Sequence, residues 1–181
     1  MINIFPDLTA EDIEVRAARI TDKRVELLLY KDARCDMRIL DEAVGPMNWM
    51  RSHEIIDDVC YCTVSIFDES KNQWIAKQDC GTPGDFEAVK AASSDAFKRA
   101  CFNWGIGREL YTAPRIAFWV EQDGEVLCNV SKNRQDRWVT YDDFSVRKVE
   151  IEDHRIKRLW VVNDTLRKTV FVWNPIDDDS R

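Results

Sequence analysis

Between His53 and Gly107 the chain changes its hydrophobic period, and this change limits the fold more than any other sequence feature. Cys60, Cys62, Val64 and Ile66 alternate with Tyr61, Thr63, Ser65 and Phe67, the period of a strand with one buried face. The polar stretch Asp68–Asn72 leads into Gln73–Lys77, so the two segments read as a hairpin. Further on, Phe86, Val89, Ser93, Ala96 with Phe97, Ala100 and Trp104 recur at the spacing of one helix face. Thr82-Pro83 offers an N-cap and a first-turn proline, with Asp85 close behind, and Gly105-Ile106-Gly107 offers the stop. The pattern predicts a helix of about six turns after antiparallel strands.

The flanks fit the same class. Ile13, Val15 and Ala17 face the run Val25–Tyr30 across the polar turn Thr21–Arg24, a hairpin; Thr9 with Asp12 can instead cap a short helix. Asp32 is an N-cap for a helix with Ala33, Met37, Leu40 and Val44 on one face, stopped by Gly45-Pro46. After Pro114 the candidate strands are Ile116–Glu121, Val126–Val130, Trp138–Tyr141, Val146–Ile151, Leu159–Val162 and Val170–Trp173, with a hairpin turn at Asp123-Gly124. The expected architecture is α+β: antiparallel β-sheet built from hairpins with a long helix packed across it, plus a β-rich C-terminal part. The expected division is a core over 1–114, a β-rich extension over 115–175 within or beside the same globule, and a frayed tail over 176–181.

Composition removes several classes of function. The 45% hydrophobic content is enough for a core, but no apolar run approaches the ~20 residues of a membrane-spanning helix. Met1–Thr9 lacks the pattern of a signal peptide, so a soluble, cytoplasmic chain with no membrane partner is expected. The six cysteines (Cys35, Cys60, Cys62, Cys80, Cys101, Cys128) form no CxxC pair and have only His53 and His154 as possible co-ligands, so they read as reduced thiols and no metal site is expected. There is no P-loop, and Gly105-Ile106-Gly107 follows a helix rather than a strand. Asp57-Asp58 and Asp142-Asp143 suggest a metal-dependent nuclease, but adjacent strand residues point to opposite faces, so solvated loop charge is the better reading. Ser93-Ser94-Asp95 has no histidine nearby in sequence. No catalytic residue is expected, and the chain is not read as an enzyme.

A net charge of −7 argues against a nucleic-acid partner. Lys90, Lys98, Arg99 and Arg108 nevertheless stand against Asp95 alone in the long-helix segment. They form either a basic rim beside the sheet or an ordinary solvated flank, and chemistry alone weighs the two equally. Trp49, Trp74, Trp104 and Tyr111 offer faces for stacking bases, while their place in the apolar pattern favours core packing. Lys148, Arg155, Lys157 and Arg158 offer a further basic path, or a solvated sheet face.

Asp32–Trp49, with its run Asp-Ala-Arg-Cys-Asp-Met-Arg, followed by the sheet, the Ser94-Asp-Ala-Phe-Lys-Arg99 helix and Gly-Ile-Gly, resembles the Rad52/22 family of single-strand annealing proteins. The likeness covers roughly 13–111 and is greatest to the short phage members of the Sak type and to DdrA-like bacterial members. It implies a β-β-β-α core, subunits assembled as a homo-oligomeric ring, and single-stranded DNA in an outer basic groove. It also implies annealing in phage-type recombination and repair with no nucleotide cofactor. Lys98 and Arg99 match the family's paired basic positions, Arg34 the arginine of its first motif, and Lys71 loosely a basic hairpin position; Lys90 and Arg108 extend the candidate DNA-binding set. A basic residue one turn after the pair is replaced by Phe102 or Asn103, Pro46 stands where some members carry an aromatic, and 79–85 lacks the basic residue that precedes the helix. A phage exonuclease or host single-strand-binding protein are the candidate protein partners, with the bacterial host cytoplasm as location if the chain is phage-encoded. End protection without annealing is the alternative reading.

Overall fold

In a computed structural model the described residues are 5–82 and 88–175. The expected helix start at Pro83, Asp85 and Phe86, and the tail 176–181, lie outside them. The protein is α+β with antiparallel sheets, as expected, and it divides into two compact units: Met1–Asp7 with Lys31–Arg108, and Leu8–Tyr30 with Glu109–Arg181.

The first unit holds α1 (Ala33–Val44), the antiparallel strands β3 (Trp49–Ile56), β4 (Val59–Asp68) and β5 (Gln73–Gly81), and α2 (Ala88–Trp104). Asp32 caps α1 by accepting from the Cys35 N–H at 2.8 Å. Gly45 ends it at φ 85°, returning its N–H to the Asp41 carbonyl. The buried face of α1 differs from the expected one. Cys35, Asp36, Ile39 and Leu40 are inside, while Met37 and Val44 are only half-buried, because buried Lys31 draws the Asp36 carboxylate inward as an ion pair.

In the sheet order β3-β4-β5, Cys62, Val64 and Ile66 of the central strand are buried. The alternation expected for β4 is therefore present. The buried face of α2 is Ala92, Ala96, Phe97, Ala100 and Cys101; Ala96, Phe97 and Ala100 are on the expected face, whereas Ser93 and Trp104 are only half-buried. Val89, expected inside, is 80% exposed. The stripe turns toward the small residues because α2 approaches β5 very closely: a Cβ on Gly81 would lie 2.0 Å from the Ala92 carbonyl oxygen and 2.6 Å from the Ala96 nitrogen. The helix closes with a paired motif in which Gly105 N–H bonds the Phe102 carbonyl and Ile106 N–H bonds the Cys101 carbonyl. Gly105 sits at φ 111°, and buried Ile106 seals the end.

The second unit contains a six-stranded sheet in the order β13-β12-β11-β1-β2-β6. Its strands are β1 (Glu14–Ile20), β2 (Arg24–Tyr30), β6 (Ile116–Trp119), β11 (Phe144–Glu152), β12 (Arg155–Asn163) and β13 (Lys168–Trp173). Short pairs β7 (Glu121–Gln122) with β8 (Glu125–Val126), and β9 (Ser131–Lys132) with β10 (Trp138–Val139), lie between. Asp123-Gly124 makes the expected turn with both residues at positive φ. Val126–Val130 contributes only its first residue to a strand. The N-terminal hairpin and the capped turn at Thr9 and Asp12, read as alternatives in the sequence, are both present. Hairpin β1–β2 pairs with β6 and β11, so this unit joins residues from both sides of position 114.

Gly81→Ala should therefore lower the melting temperature by several degrees, since the added methyl meets backbone that no rotamer change relieves. The expected cost is about 3 kcal/mol, and a thermal melt unchanged from the parent contradicts the close approach.

Candidate nucleic-acid interface

Antiparallel register lines up three side chains per row on the helix-bearing face of β3-β4-β5: Arg51, Val64 and Lys77; then His53, Cys62 and Asp79. The central residue of each row is buried, and the outer ones reach α2 from its two flanks. On the β3 side His53 Nε2 lies 3.1 Å from the Ser93 carbonyl, and the Arg51 guanidinium stacks 4.5 Å over the Phe97 ring. On the β5 side Asp79 accepts from Arg99 Nε at 3.1 Å and from Asn103 Nδ2 at 3.2 Å. Lys77 Nζ donates to the Asn103 carbonyl at 2.8 Å and lies 4.5 Å over the Trp104 ring.

Against this frame the adjacent Lys98 and Arg99 part company, because neighbours on a helix diverge by about 100°. Arg99 turns toward β5, is 49% exposed, and is held above its ordinary pKa chiefly by the Asp79 hydrogen bond and charge. Lys98 is half-buried, and its charge acts on buried Asp36. Arg34 is 86% exposed and lies 2.7 Å from Asp32. Lys71 sits in the turn between β4 and β5, 2.7 Å from Asp68. Lys90 is exposed in the first described turn of α2. Arg108 folds back over the helix end, donating to the Phe102 and Asn103 carbonyls at 2.9 and 2.8 Å.

Lys77 and Arg108 thus meet on one carbonyl, and Arg51 and Lys77 flank the helix at its aromatic positions. Sequence reading passed over Arg51 and Lys77. The available signal was phase: both are in register with Val64, on the side of the sheet that the alternation marks as buried.

Among the aromatics, Trp49 donates to Asp41 Oδ1 at 2.7 Å and stacks on Phe97, and Trp104 donates to the Val64 carbonyl at 3.0 Å. These two anchor the core. Trp74 is 43% exposed beside Phe67 on the opposite sheet face, and Tyr111 is 76% exposed. In the second unit Glu150 pairs with both Lys148 and Arg158.

The aspartate pairs are not in strands. Asp57 and Asp58 form the turn between β3 and β4, both at positive φ. Asp142 accepts from the Asn129 N–H, Asn129 Nδ2 and Asn163 Nδ2; these bonds outweigh burial and lower its pKa. Among the described residues no three metal-ligating side chains gather, and no helix is long and apolar enough to cross a membrane. The six cysteines are free, and burial raises the Cys62 and Cys128 thiols to about 11.

Residues 62–123 match the Rad52/22 family double-strand break repair proteins. The segment contains β4 from Cys62 onward, β5 and all of α2. The single-stranded DNA-binding protein DdrA of Deinococcus radiodurans is 35% identical over 102 residues, which cover 55% of this chain and 47% of the relative. The protein of the same name from Deinococcus deserti is 32% identical over 121 residues, covering 66% and 58%. The chain spans about half the length of these curated relatives. No solved structure matches it.

Burial raises the Asp36 carboxyl from 3.8 to about 6 against the opposing charges of Lys31 and Lys98. A raised folded-state pKa favours the folded form fully below the unfolded value, and this contribution is lost as pH rises through the folded value. Unfolding free energy should accordingly contain a component that falls between roughly pH 4 and pH 6. Denaturant titrations of Asp36→Asn should lack it; an identical pH profile in the variant contradicts the assignment.

Proposed function

We propose that this chain, whose residues 62–123 are a Rad52/22-family segment, binds single-stranded DNA and anneals complementary strands without ATP. The observation that carries the reading is that the matched segment contains the cation-bearing helix α2 and β5, which engages one flank of the helix through Asp79 and Lys77. The DdrA proteins, named as single-stranded DNA-binding, support the ligand. Lys98, Arg99 and Arg34 neutralise phosphates, with Lys90, Lys71 and Arg108 along the path. Such contacts carry no base specificity, so the bases stay free to find a complement. The chemistry is positioning, with no covalent step and no cofactor.

Assembly into a homo-oligomeric ring belongs to the same proposal. Strands β3 and β5 are the edges of their sheet, and an edge strand is a ready site for pairing with another subunit. Recombination in a phage-infected bacterial cytoplasm, beside an exonuclease or a host single-strand-binding protein, is the setting that fits. A second reading, binding and end protection without annealing, is favoured by the relatives' name, which states binding alone.

Complementary oligonucleotides mixed with the protein in EDTA, without ATP, should anneal at the full rate. Binding without acceleration selects end protection. Magnesium-dependent cleavage, abolished in Asp142→Ala/Asp143→Ala, selects a nuclease. Lys98→Ala/Arg99→Ala should weaken binding to every sequence tested and flatten the salt dependence by about 0.7 per lost contact, with a stability change of about 1 kcal/mol or less from the exposed Arg99 pair. Parent-like binding by this variant removes the groove from α2. Light scattering should show a particle many times the monomer mass, and a monomer with and without DNA removes the ring.

A further inference from the structure

We propose that Lys77 and Arg108 form a two-cation subsite for a backbone phosphate at the C-terminal end of α2, an inference that rests on the single-stranded DNA reading above. The Asn103 carbonyl oxygen accepts from Lys77 Nζ and from Arg108 Nη2, each at 2.8 Å. The two donor nitrogens therefore lie no further apart than twice that distance. Arg34, Lys71 and Arg99 each have a carboxylate partner. Among the described residues neither Lys77 nor Arg108 has one within ion-pair distance.

Capping accounts for the hydrogen bonds that both cations make to the open carbonyls of the helix end, but not for two full positive charges on one carbonyl. The last turn of a helix carries a partial negative charge of about one half, which a single cation satisfies. A second cation on the same carbonyl is repelled by the first. Burial and the Arg108 charge both lower the Lys77 pKa, so the free protein holds Lys77 at a cost that an anion relieves.

The surroundings suit such an anion. Trp104 lies 4.5 Å from Lys77 Nζ and Phe102 lies 5.6 Å from the Arg108 guanidinium carbon, so ring faces position both cations without using their N–H groups. Both side chains keep further donors beyond those bonded to the helix. Arg108 is exposed and Lys77 half-buried, so the pair is open to solvent.

A repeating anion fits better than an isolated one. The Asn103 side chain donates to Asp79, which also holds Arg99. Arg99 and the carbonyl under Lys77 and Arg108 are four residues apart on α2, about one turn along the same flank. A single strand running along this flank meets Arg99 and then the pair. The cation pair is built jointly by β5 and the segment after α2, so it is not apparent from the helix sequence.

The test is the salt dependence of oligothymidylate binding, read by fluorescence anisotropy, for the parent, Lys77→Gln/Arg108→Gln and the charge-keeping Lys77→Arg/Arg108→Lys. The first variant should lose affinity on the order of tenfold at moderate salt and about 1.4 units of salt slope. The second should keep the parental slope. A parent that binds with a slope the glutamine variant does not change overturns the subsite and leaves the DNA reading standing. So does a fall in affinity with unchanged slope and lowered melting temperature, the signature of a lost helix cap. A parent that does not bind overturns both.

Discussion

Close approach of α2 to β5 is the contact on which the candidate interface depends. Gly81 has no side chain, and Ala92, Ala96 and Ala100 present only methyl groups, so backbone meets backbone. At that separation the outer residues of each strand row reach around the helix. His53 and Arg51 hold one flank, and Asp79 and Lys77 the other. A larger side chain at 81 would lift the helix and loosen every one of these bonds. The orientation of Lys98 and Arg99 thus follows from two kinds of small residue that are unremarkable as a sequence.

The electrostatics explain how a chain of net charge −7 can present cations to a polyanion. Its carboxylates are not spread evenly over its cations. Asp79 engages Arg99, Asp68 engages Lys71 and Asp32 engages Arg34. Exposed pairs of this kind are worth roughly 0–1 kcal/mol, so they orient the side chains without locking them away from a ligand. The Lys31–Asp36 pair differs in kind. It is buried, one Asp36 oxygen has no hydrogen-bond partner, and desolvation dominates its titration. It serves packing between α1 and its surroundings, and Lys98 feels it at a distance.

Much of this was legible in the sequence where a local rule suffices. The Asp32 cap, the Gly45 and Gly105 stops, the β4 alternation and the Asp123-Gly124 turn each depend on a few neighbouring residues, and each is present. The buried faces of both helices were harder to place. Spacing alone places Ala96, Phe97 and Ala100 correctly but also chooses Met37 and Val89, while the structure buries Asp36, Ala92 and Cys101, because a distant lysine and a glycine decide which side turns inward. The candidate site divides the same way. A basic stretch is visible along α2, but Lys77 and Arg51 enter only through strand register, which single-residue chemistry does not reveal.

The N-terminal hairpin carries the same point to the scale of the whole chain. Reading in chain order draws a boundary at 114 and leaves the β-rich remainder within or beside the same globule. Yet Val25 lies opposite Phe118 and Leu27 opposite Ile116, with all four buried. Separating them would return Val25 and Leu27 to water at about 1.5–3 kcal/mol each. The hairpin therefore needs β6 as a partner, and the matched segment 62–123 runs from β4 in one unit through β6 and β7 in the other. Antiparallel pairing is indifferent to sequence distance. The strands after Pro114 consequently belong to the folding unit of the first hairpin, and a shortened chain ending at 114 lacks the surface on which that hairpin closes.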